Sequence, residues 1–588
     1  MNDNINSQTK QNFLNLLNKG QYIITPEINI INGQLQGFQY YGILGCKLKN
    51  LLIKEWKKYF INNSNNIEEI DYPTAINYDL MHESNYIEDY MEYIINDNNK
   101  IYSIRDFLKK WILTTNNMTN MLERIDKLNI DELKKLLYQY KIIPETKNIE
   151  KKTQLYAIES SNINNVNRID FLRPDLSQQI IANFELFNNF FNDTFPFGIA
   201  QIGKIFRKEI KHEPFIKLRE NTHTTIVYFY DPLNLDIENN INNTNIMGRK
   251  MQMDNIWHIE DIPLNDKKNI QYNEFIEIEN IINNKHISKF ITHIYKFCIN
   301  IGILKHKIRL RKLETTNILH SWVIEIYVNK IWLICAKCSN RALYEILYEK
   351  NKNIKKAKRK LKQPLENKEL IIKINEKNII EKYHELTPKK KDYYSKIDEN
   401  EKKKIQNNIL SGNNNMWIYI DGLMCAISCD MINCEEKITI QKYEEFIPHI
   451  LDITLNLDQI LYCLLEHCYI SDQKNMCILS LPYNIAPYQV LLCINNDDED
   501  DVINNAKNIE NINIIMNNIK QILDNNNVRY YIDLNNNSID TKKKRMNDFS
   551  IKNMIIINDA NNKYVLLYKI DNESCEKIEI DKIFEKII

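Results

Sequence analysis

Glycine is scarce in this chain, 11 of 588 residues, where a soluble protein of ordinary composition carries roughly 7%. Proline is scarce too, with 13, while Asn, Ile, Lys and Tyr abound. Codons for the scarce set are GC-rich and those for the abundant set AT-rich, so the bias is genomic and carries no functional signal. The surviving glycines then become informative, because each stands where a side chain is hard to fit. Gly33, Gly37, Gly42 and Gly45 crowd one stretch, Gly198 and Gly203 flank another, and none follows Gly422. The chain also lacks net charge, 77 basic against 77 acidic residues. That excludes a whole-chain pull toward nucleic acid and leaves only local patches to provide one. No run approaches the ~18 apolar residues of a membrane helix. The polar start, Met1 to Lys10, has no apolar h-region or Arg-rich amphipathic stretch. Twelve cysteines are scattered without a paired framework, which fits reduced thiols. The expectation is a cytoplasmic protein with no membrane partner, an organelle being left open.

What is present is a core-forming composition, 44% hydrophobic and 26% charged, on a chain long enough for two to four domains. After the glycine-rich turn, Leu48, Leu51, Leu52, Trp56, Tyr59 and Phe60 fall on one helical face. Residues 79–140 read as mostly helical, with a break near Asn129 and Asp131. Ile180 to Phe191 predicts a buried helix, Pro196 to Phe206 a strand and turn, and Thr224 to Tyr230 a strand. Two further strands are expected at Trp322–Val328 and Ile331–Cys335 inside an Asn/Lys-rich region. From Tyr488 onward the apolar segments Val490–Ile494, Ile512–Leu523, Val528–Leu534, Met554–Ile557 and Tyr564–Lys569 alternate as in a βαβ unit. The acidic run Asp497–Asp501 reads as a solvated loop.

The longest informative block is Phe171-Leu172-Arg173-Pro174-Asp175-Leu176-Ser177-Gln178-Gln179, followed by Pro196-Phe197-Gly198-Ile199-Ala200-Gln201-Ile202-Gly203-Lys204-Ile205-Phe206-Arg207-Lys208-Glu209-Ile210. It resembles the Arg-Pro-Glu-Thr-Ala-Gln-Gly signature and motif 2 of the class II glycyl-tRNA synthetase family, eukaryotic type. Gly37-Phe38-Gln39-Tyr40-Tyr41-Gly42-Ile43-Leu44-Gly45 is similar to that family's N-terminal Gly-Phe-Tyr-Asp-Tyr-Gly-Pro-Leu-Gly. Ser84-Asn85-Tyr86 stands where the family has Ser-Gly-His. Leu461 to His467, then Ser480 to Tyr488, resemble the end of motif 3 and the junction to the anticodon-binding domain. The resemblance runs from about residue 20 to the end.

The resemblance implies an α/β (α+β) fold: a class II antiparallel sheet with flanking helices and insertions, plus a C-terminal α/β anticodon-binding-like domain. The implied segments are 1–78, 161–232 and 416–487 for the catalytic-like core, 79–160 and 233–415 as insertions, and 488–588 for the last domain. It also implies ATP-dependent ligation of glycine to tRNA, with ATP and Mg2+ as cofactors, tRNA as partner and a homodimer. Such chemistry rests on positioning and charge stabilisation. By the family's motifs Arg207 would grip the α-phosphate and Glu209 would read the adenine amine. Lys217 stands at the terminal-phosphate cation, without an arginine's bidentate fork, and Arg341 is the retained arginine of Gly-x-Ala-Asp-Arg. Arg173, Asp175, Gln178, Asp452 and Thr454 fall on the substrate side.

Elsewhere the pattern departs. The adenine-stacking phenylalanine is Asn221, and two acidic positions of the next strand are Thr225 and Val227. Trp332-Leu333-Ile334 puts isoleucine at a glutamate. Lys337-Cys338-Ser339-Asn340-Arg341 keeps only its arginine. Motif 3 reads Asp452-Ile453-Thr454-Leu455-Asn456-Leu457-Asp458-Gln459, so both glycines carry side chains and the phosphate-clamping arginine is Gln459. Asp458 adds negative charge where a polyanion must pass. Two functions follow as expectations: a glycine–tRNA ligase, or a pseudo-synthetase that binds nucleic acid or a partner without ligation.

Among remaining features, Cys335 and Cys338 form a C-x-x-C with no second pair at zinc-ribbon spacing, and Cys425, Cys429 and Cys434 are irregular. They read as buried thiols and not as a zinc site. His320 and His467 read as packed polar residues. Lys355–Lys362, Lys389–Lys391 and Lys542-Lys543-Lys544-Arg545 are basic clusters. The last is the candidate phosphate contact for tRNA.

Overall fold

The structure, a computed structural model, describes residues 2–24, 37–83, 86–97, 100–115, 125, 128, 130–142, 149–161, 167–209, 214–233, 246–250, 256–261, 275–282, 284–313, 320–342, 357–374, 415–420, 423–428, 432–471, 477–495, 506–535, 537–558, 563–570 and 574–587. It divides into two compact units, 1–355 with 447–588, and 356–446. No helix among the described residues is long and apolar enough to cross a membrane.

The helices of the larger unit include α1 (Asn2–Lys19), α2 (Ile43–Lys57), α3 (Ser177–Ala182), α4 (Phe184–Phe190), α5 (Lys285–Asn300) and α6 (Leu457–His467). The strands are β1 (Ile67–Glu69), β2 (Phe197–Phe206), β3 (Glu220–Tyr230), β4 (Ile246–Lys250), β5 (Ile256–Asp261), β6 (Phe275–Glu277), β7 (Ile308–Leu313), β8 (His320–Val328), β9 (Ile331–Ala342) and β10 (His449–Asn456). These strands form one ten-stranded sheet in the order β6-β4-β5-β7-β8-β9-β10-β3-β2-β1. Every pairing is antiparallel except β2 with β1, which is parallel.

Leu44, Leu48, Leu52 and Trp56 recur every four residues on α2 and are all buried, the apolar stripe a core-facing helix needs. With α1, α5 and α6 they cover one face of the sheet through Ile226, Ile453, Leu455 and Cys338. Gly45 stands in the first turn of α2, and its N–H donates to the Gln21 carbonyl (3.1 Å). A β-carbon there would come 1.8 Å from the Tyr22 carbonyl oxygen, so helix and preceding segment touch backbone to backbone.

The helix expected over Ile180 to Phe191 is broken in two. Asn183 leaves helical geometry (φ −101°, ψ 22°), and its side-chain amide donates to the Gln179 carbonyl (2.8 Å). That local bond competes with helix propagation, and α4 then exposes Leu186 (65%) and Phe190 (69%). Segment 79–140 is also less helical than its composition predicts. Met91–Asp97 pairs with Lys100–Ser103 and with Ile149–Thr153, and helices Ile104–Thr115 and Ile130–Gln139 pack Leu108, Ile112, Leu133 and Leu137 into a small separate core with Ile95. Long-range strand pairing overrides local propensity here.

The C-terminal alternation folds as its pattern predicts. β11 (Val490–Ile494), α7 (Ala506–Asn525), β12 (Tyr530–Asp533), α8 (Ile539–Asp548), β13 (Asn553–Ile557), β14 (Tyr564–Lys569) and β15 (Ser574–Glu579) give a five-stranded sheet ordered β12-β11-β13-β14-β15. The smaller unit contains two antiparallel ribbons, Ala357–Ile374 with Ile432–Phe446 and Asn415–Ile420 with Leu423–Ser428. Lys389–Lys391, Asp497–Asp501 and Cys429 lie outside the described residues, as do the side chains of Cys425 and Cys434.

Three buried histidines couple this core to pH. Burial lowers His223 to about 3 and His286 and His467 to about 4. His467 Nε2 bonds the Tyr327 carbonyl (2.8 Å), and Nδ1 accepts the Leu304 N–H (3.3 Å), which fixes a neutral ring. Unfolded histidines take up protons near pH 6.5. Between about 6.5 and 4 the unfolded chain therefore binds more protons, and this stabilisation, complete above 6.5, is lost as pH falls. Urea midpoints are expected to drop between pH of about 7.5 and 5. An unchanged midpoint would refute this reading.

Candidate active site

Strand periodicity assembles the site. Successive side chains leave opposite faces of a strand. The register therefore places Gln201, Thr225, Thr454 and Lys337 in one row across β2, β3, β10 and β9, with Val227, Asp452 and Ser339 in the adjacent row. The reverse face is the apolar core.

Asp452 is a hub on the polar face. It accepts from Arg341 Nη2 and from the Thr454 hydroxyl (2.9 Å), and Thr454 shares a further hydroxyl bond with Thr225 (3.1 Å). Arg341 Nη1 donates to Tyr86 Oη (2.6 Å). Tyr90, one helical turn on, donates to Asp175 (2.9 Å), and the Arg207 guanidinium lies over its ring, 5.3 Å from the centroid. Arg207 Nε donates to the Pro174 carbonyl (3.0 Å). Burial pushes both tyrosine hydroxyls far up, so they stay protonated. Burial disfavours the charge on Arg207, yet Tyr90, Asp175 and Glu209 outweigh it and raise its pKa.

Five of the residues singled out in the sequence thus converge: Asp175, Arg207, Arg341, Asp452 and Thr454. Glu209 follows Arg207, with its N–H on the Arg207 carbonyl (2.9 Å). Lys217 is half-buried on the segment leading into β3. Gln178 turns its amide N–H to the Leu80 carbonyl (3.2 Å). Arg173 is a structural clamp, with Nε on the Lys204 carbonyl (2.8 Å) and Nη1 on those of Tyr72 (2.7 Å) and Pro73 (3.3 Å). Its guanidinium occupies the space beside Gly203, where a β-carbon would come 2.0 Å from Nη2.

A second cluster forms where β10 runs into α6. The β3–β10 ladder ends at His223 and Asn456, which leaves the Thr222 N–H without a strand partner. Asp458 Oδ2 takes it (2.6 Å), while Oδ1 accepts from Lys49 Nζ (2.7 Å) and Tyr41 Oη (2.6 Å). The Asp458 side chain is 4% exposed and lies in the first turn of α6, where the helix dipole favours negative charge. The free negative charge expected from the sequence is therefore neutralised in place by Lys49. Asn456 caps α6 by accepting the Gln459 N–H (3.2 Å) and donates to Asn221 (3.2 Å), whose own amide bonds the Leu218 carbonyl (2.9 Å). Gln459 Nε2 is tied to the Ile216 carbonyl (2.8 Å). Every side chain at the departing positions Asn221, Asn456, Asp458 and Gln459 is thus bonded within this cluster.

Lys49, Tyr41, Tyr90 and Lys337 carry geometry that the sequence did not single out. The spacing of Tyr86 and Tyr90 is the one local signal. Lys49 has none, because its partner is 409 residues away. Cys335 and Cys338 are buried free thiols, the former 3.8 Å from Cys463 Sγ. Among the described residues no group of three or more His, Cys, Asp and Glu is placed to hold a metal ion. On α8, Lys542 is buried with Nζ on the Ile494 carbonyl (2.7 Å) and Arg545 pairs with Asp533 (2.7 Å). Lys543 reaches Asp540 (3.4 Å) and the Tyr568 ring, which leaves Lys544 as the exposed member of that cluster.

No protein-family model matches the chain. Glycine–tRNA ligase 2 of Saccharomyces cerevisiae is 26% identical over 559 residues, covering 89% of this chain and 86% of that protein. The glycine–tRNA ligase of Methanocaldococcus jannaschii is 28% identical over 511 residues, 82% of this chain and 83% of that one. Among solved structures, the Giardia lamblia prolyl-tRNA synthetase in complex with prolyl-adenylate matches with a TM-score of 0.50 at 11% identity, over 98% of this chain and 76% of the other.

Proposed function

Since this chain is homologous to glycine–tRNA ligases over most of its length and has the fold of class II tRNA synthetases, we propose that it is a tRNA-binding, glycyl-tRNA synthetase-like protein that does not form glycyl-adenylate. The observation that carries this reading is Asp458. A buried carboxylate, fully engaged by Lys49, Tyr41 and Thr222, stands beside Gln459, whose amide is committed to a backbone carbonyl. The motif 3 resemblance implies that ATP passes at this junction, where its phosphates need cations and a close backbone. A desolvated charge-assisted contact is worth roughly 2–5 kcal/mol, each 1.36 kcal/mol being about tenfold in rate. The residues present therefore do not fit ATP with Mg2+.

The second reading, a working glycine–tRNA ligase, is favoured by the convergence of Arg207, Arg341, Asp452 and Thr454 on one face. Glycine-dependent ATP–pyrophosphate exchange separates the two. With purified full-length protein, exchange is expected at background while labelled tRNA is still retarded in a gel. Exchange clearly above background would establish the ligase instead.

A further inference from the structure

Cys335 sits where β9 leaves its ladders. Across β8, Ile324 faces Ala336 and Glu325 faces Ile334, so Cys335 is the extra residue of a β-bulge. The ladder of β9 with β10 begins only at Ala336. Strand alternation breaks at the same point: Ile334 is 40% exposed, while Cys335 and Ala336, consecutive in the chain, are both buried. A bulge re-aims a side chain in this way. Here it turns the Cys335 thiol toward α6, which starts directly after β10.

Cys463 on α6 meets it. The two Sγ atoms stand 3.8 Å apart, although 128 residues separate them in sequence. Both thiols are free and buried. A third thiol, Cys298 on α5, acts electrostatically on both. Burial, followed by Cys463, pushes the Cys335 thiol well up, so it stays protonated, and only a small uncharged oxidant suits so enclosed a place. A disulfide needs its sulfurs at about 2.05 Å. A bulged residue outside both ladders has the backbone freedom to close the remaining gap.

We infer that Cys335 and Cys463 are an oxidisable pair that closes into a disulfide under peroxide and fastens α6 to β9. One thiol sulfur attacks a peroxide oxygen, the O–O bond breaks, and one water leaves as a sulfenic acid forms. The second thiol sulfur then displaces the sulfenic hydroxyl, which leaves as a second water. Two electrons pass from sulfur to peroxide, both thiol hydrogens end in water, and one S–S bond is made. A dithiol reductant reverses the link. α6 opens with Asp458 and Gln459, and β9 carries Arg341, so the bond couples the two polar clusters. This does not depend on whether glycyl-adenylate forms.

Mass mapping of the full chain decides the matter. The protein is treated with hydrogen peroxide, unfolded, blocked with N-ethylmaleimide and digested. A peptide pair joining Cys335 to Cys463 is expected, two hydrogens lighter than its parts and absent after dithiothreitol. In the folded protein it should exceed any other pairing of Cys335 by about tenfold or more. It should lose that excess when peroxide is added in urea, because proximity supplies the preference. Cys298→Ala should keep the pair. The exposed Cys46 and Cys575 report that peroxide was sufficient. Once they are oxidised, recovery of Cys335 and Cys463 both alkylated would overturn the inference. So would Cys335 linked chiefly to Cys298, loss of the pair in Cys298→Ala, or the same excess in urea. If the variant does not fold, the unaltered chain still decides. Pyrophosphate exchange answers the separate question of ligation, so the two readings fail independently.

Discussion

Asp458→Ala is expected to destabilise the core by about 3–5 kcal/mol, the range for removing one partner of a buried ion pair. The loss has three parts. The Lys49 ammonium, 16% exposed, keeps its charge without a counterion. The Thr222 N–H loses its acceptor at the end of the β3–β10 ladder. The first turn of α6 loses an acidic group at its N-terminus. Denaturant midpoints give the magnitude, and hydrogen exchange at Thr222 gives the location, since that amide should lose protection first. The double variant Lys49→Met with Asp458→Leu should recover much of the loss, because neutral packing often replaces a buried pair without penalty. A loss below about 1 kcal/mol in the single variant would mean that water, and not the pair, carries the charge.

Gly45→Ala should cost about 3 kcal/mol, against the direction that helix propensity alone would give. Alanine is favoured over glycine inside a helix by roughly 1 kcal/mol. Here the added methyl would meet the Tyr22 carbonyl oxygen at 1.8 Å, and backbone cannot rotate away as a flexible side chain can. Overpacking of this kind costs roughly 1–3 kcal/mol and sometimes more. Tyr22 is fully buried and its hydroxyl donates to the Phe549 carbonyl (3.1 Å). Lifting this segment off α2 therefore also loosens the packing at the C-terminal end of α8. Thermal unfolding of the variant would show both. A variant as stable as the parent would mean that the segment yields freely.

The sequence made some of this legible. Scarcity gave Gly45 and Gly203 their weight, and both prove to be close approaches to backbone or to a buried guanidinium. Apolar periodicity placed α2, β3 and the C-terminal alternation. Motif order singled out Arg207, Asp175, Arg341, Asp452 and Thr454, and the fold brings these five side chains together. Other features were not legible, for definite reasons. The break at Asn183 depends on a side chain bonding its own backbone. The strands at 91–103 acquire their third partner at Ile149–Thr153, beyond any local window. The basic cluster on α8 looked like a phosphate contact, yet Lys542 and Arg545 are spent internally, which only the position of β11 and β12 reveals. A replacement such as Asp458 reads as a defect until the lysine that answers it is found on another element.

The Asp458 junction also sets an order of events during synthesis. Tyr41 and Lys49 reach it across 417 and 409 residues. Such distant contacts form late, after the entropy of closing a very long loop has been met. A nascent chain grows from its N-terminus at roughly 5–20 residues per second. Lys49 therefore waits, charged and solvated, while a further 409 of the 588 residues are made. Until α6 emerges, α2 cannot settle with that lysine buried, and the N-terminal half remains a partly formed layer with exposed apolar surface. Chains cut short before residue 457 should accordingly be chaperone substrates and not smaller folded proteins.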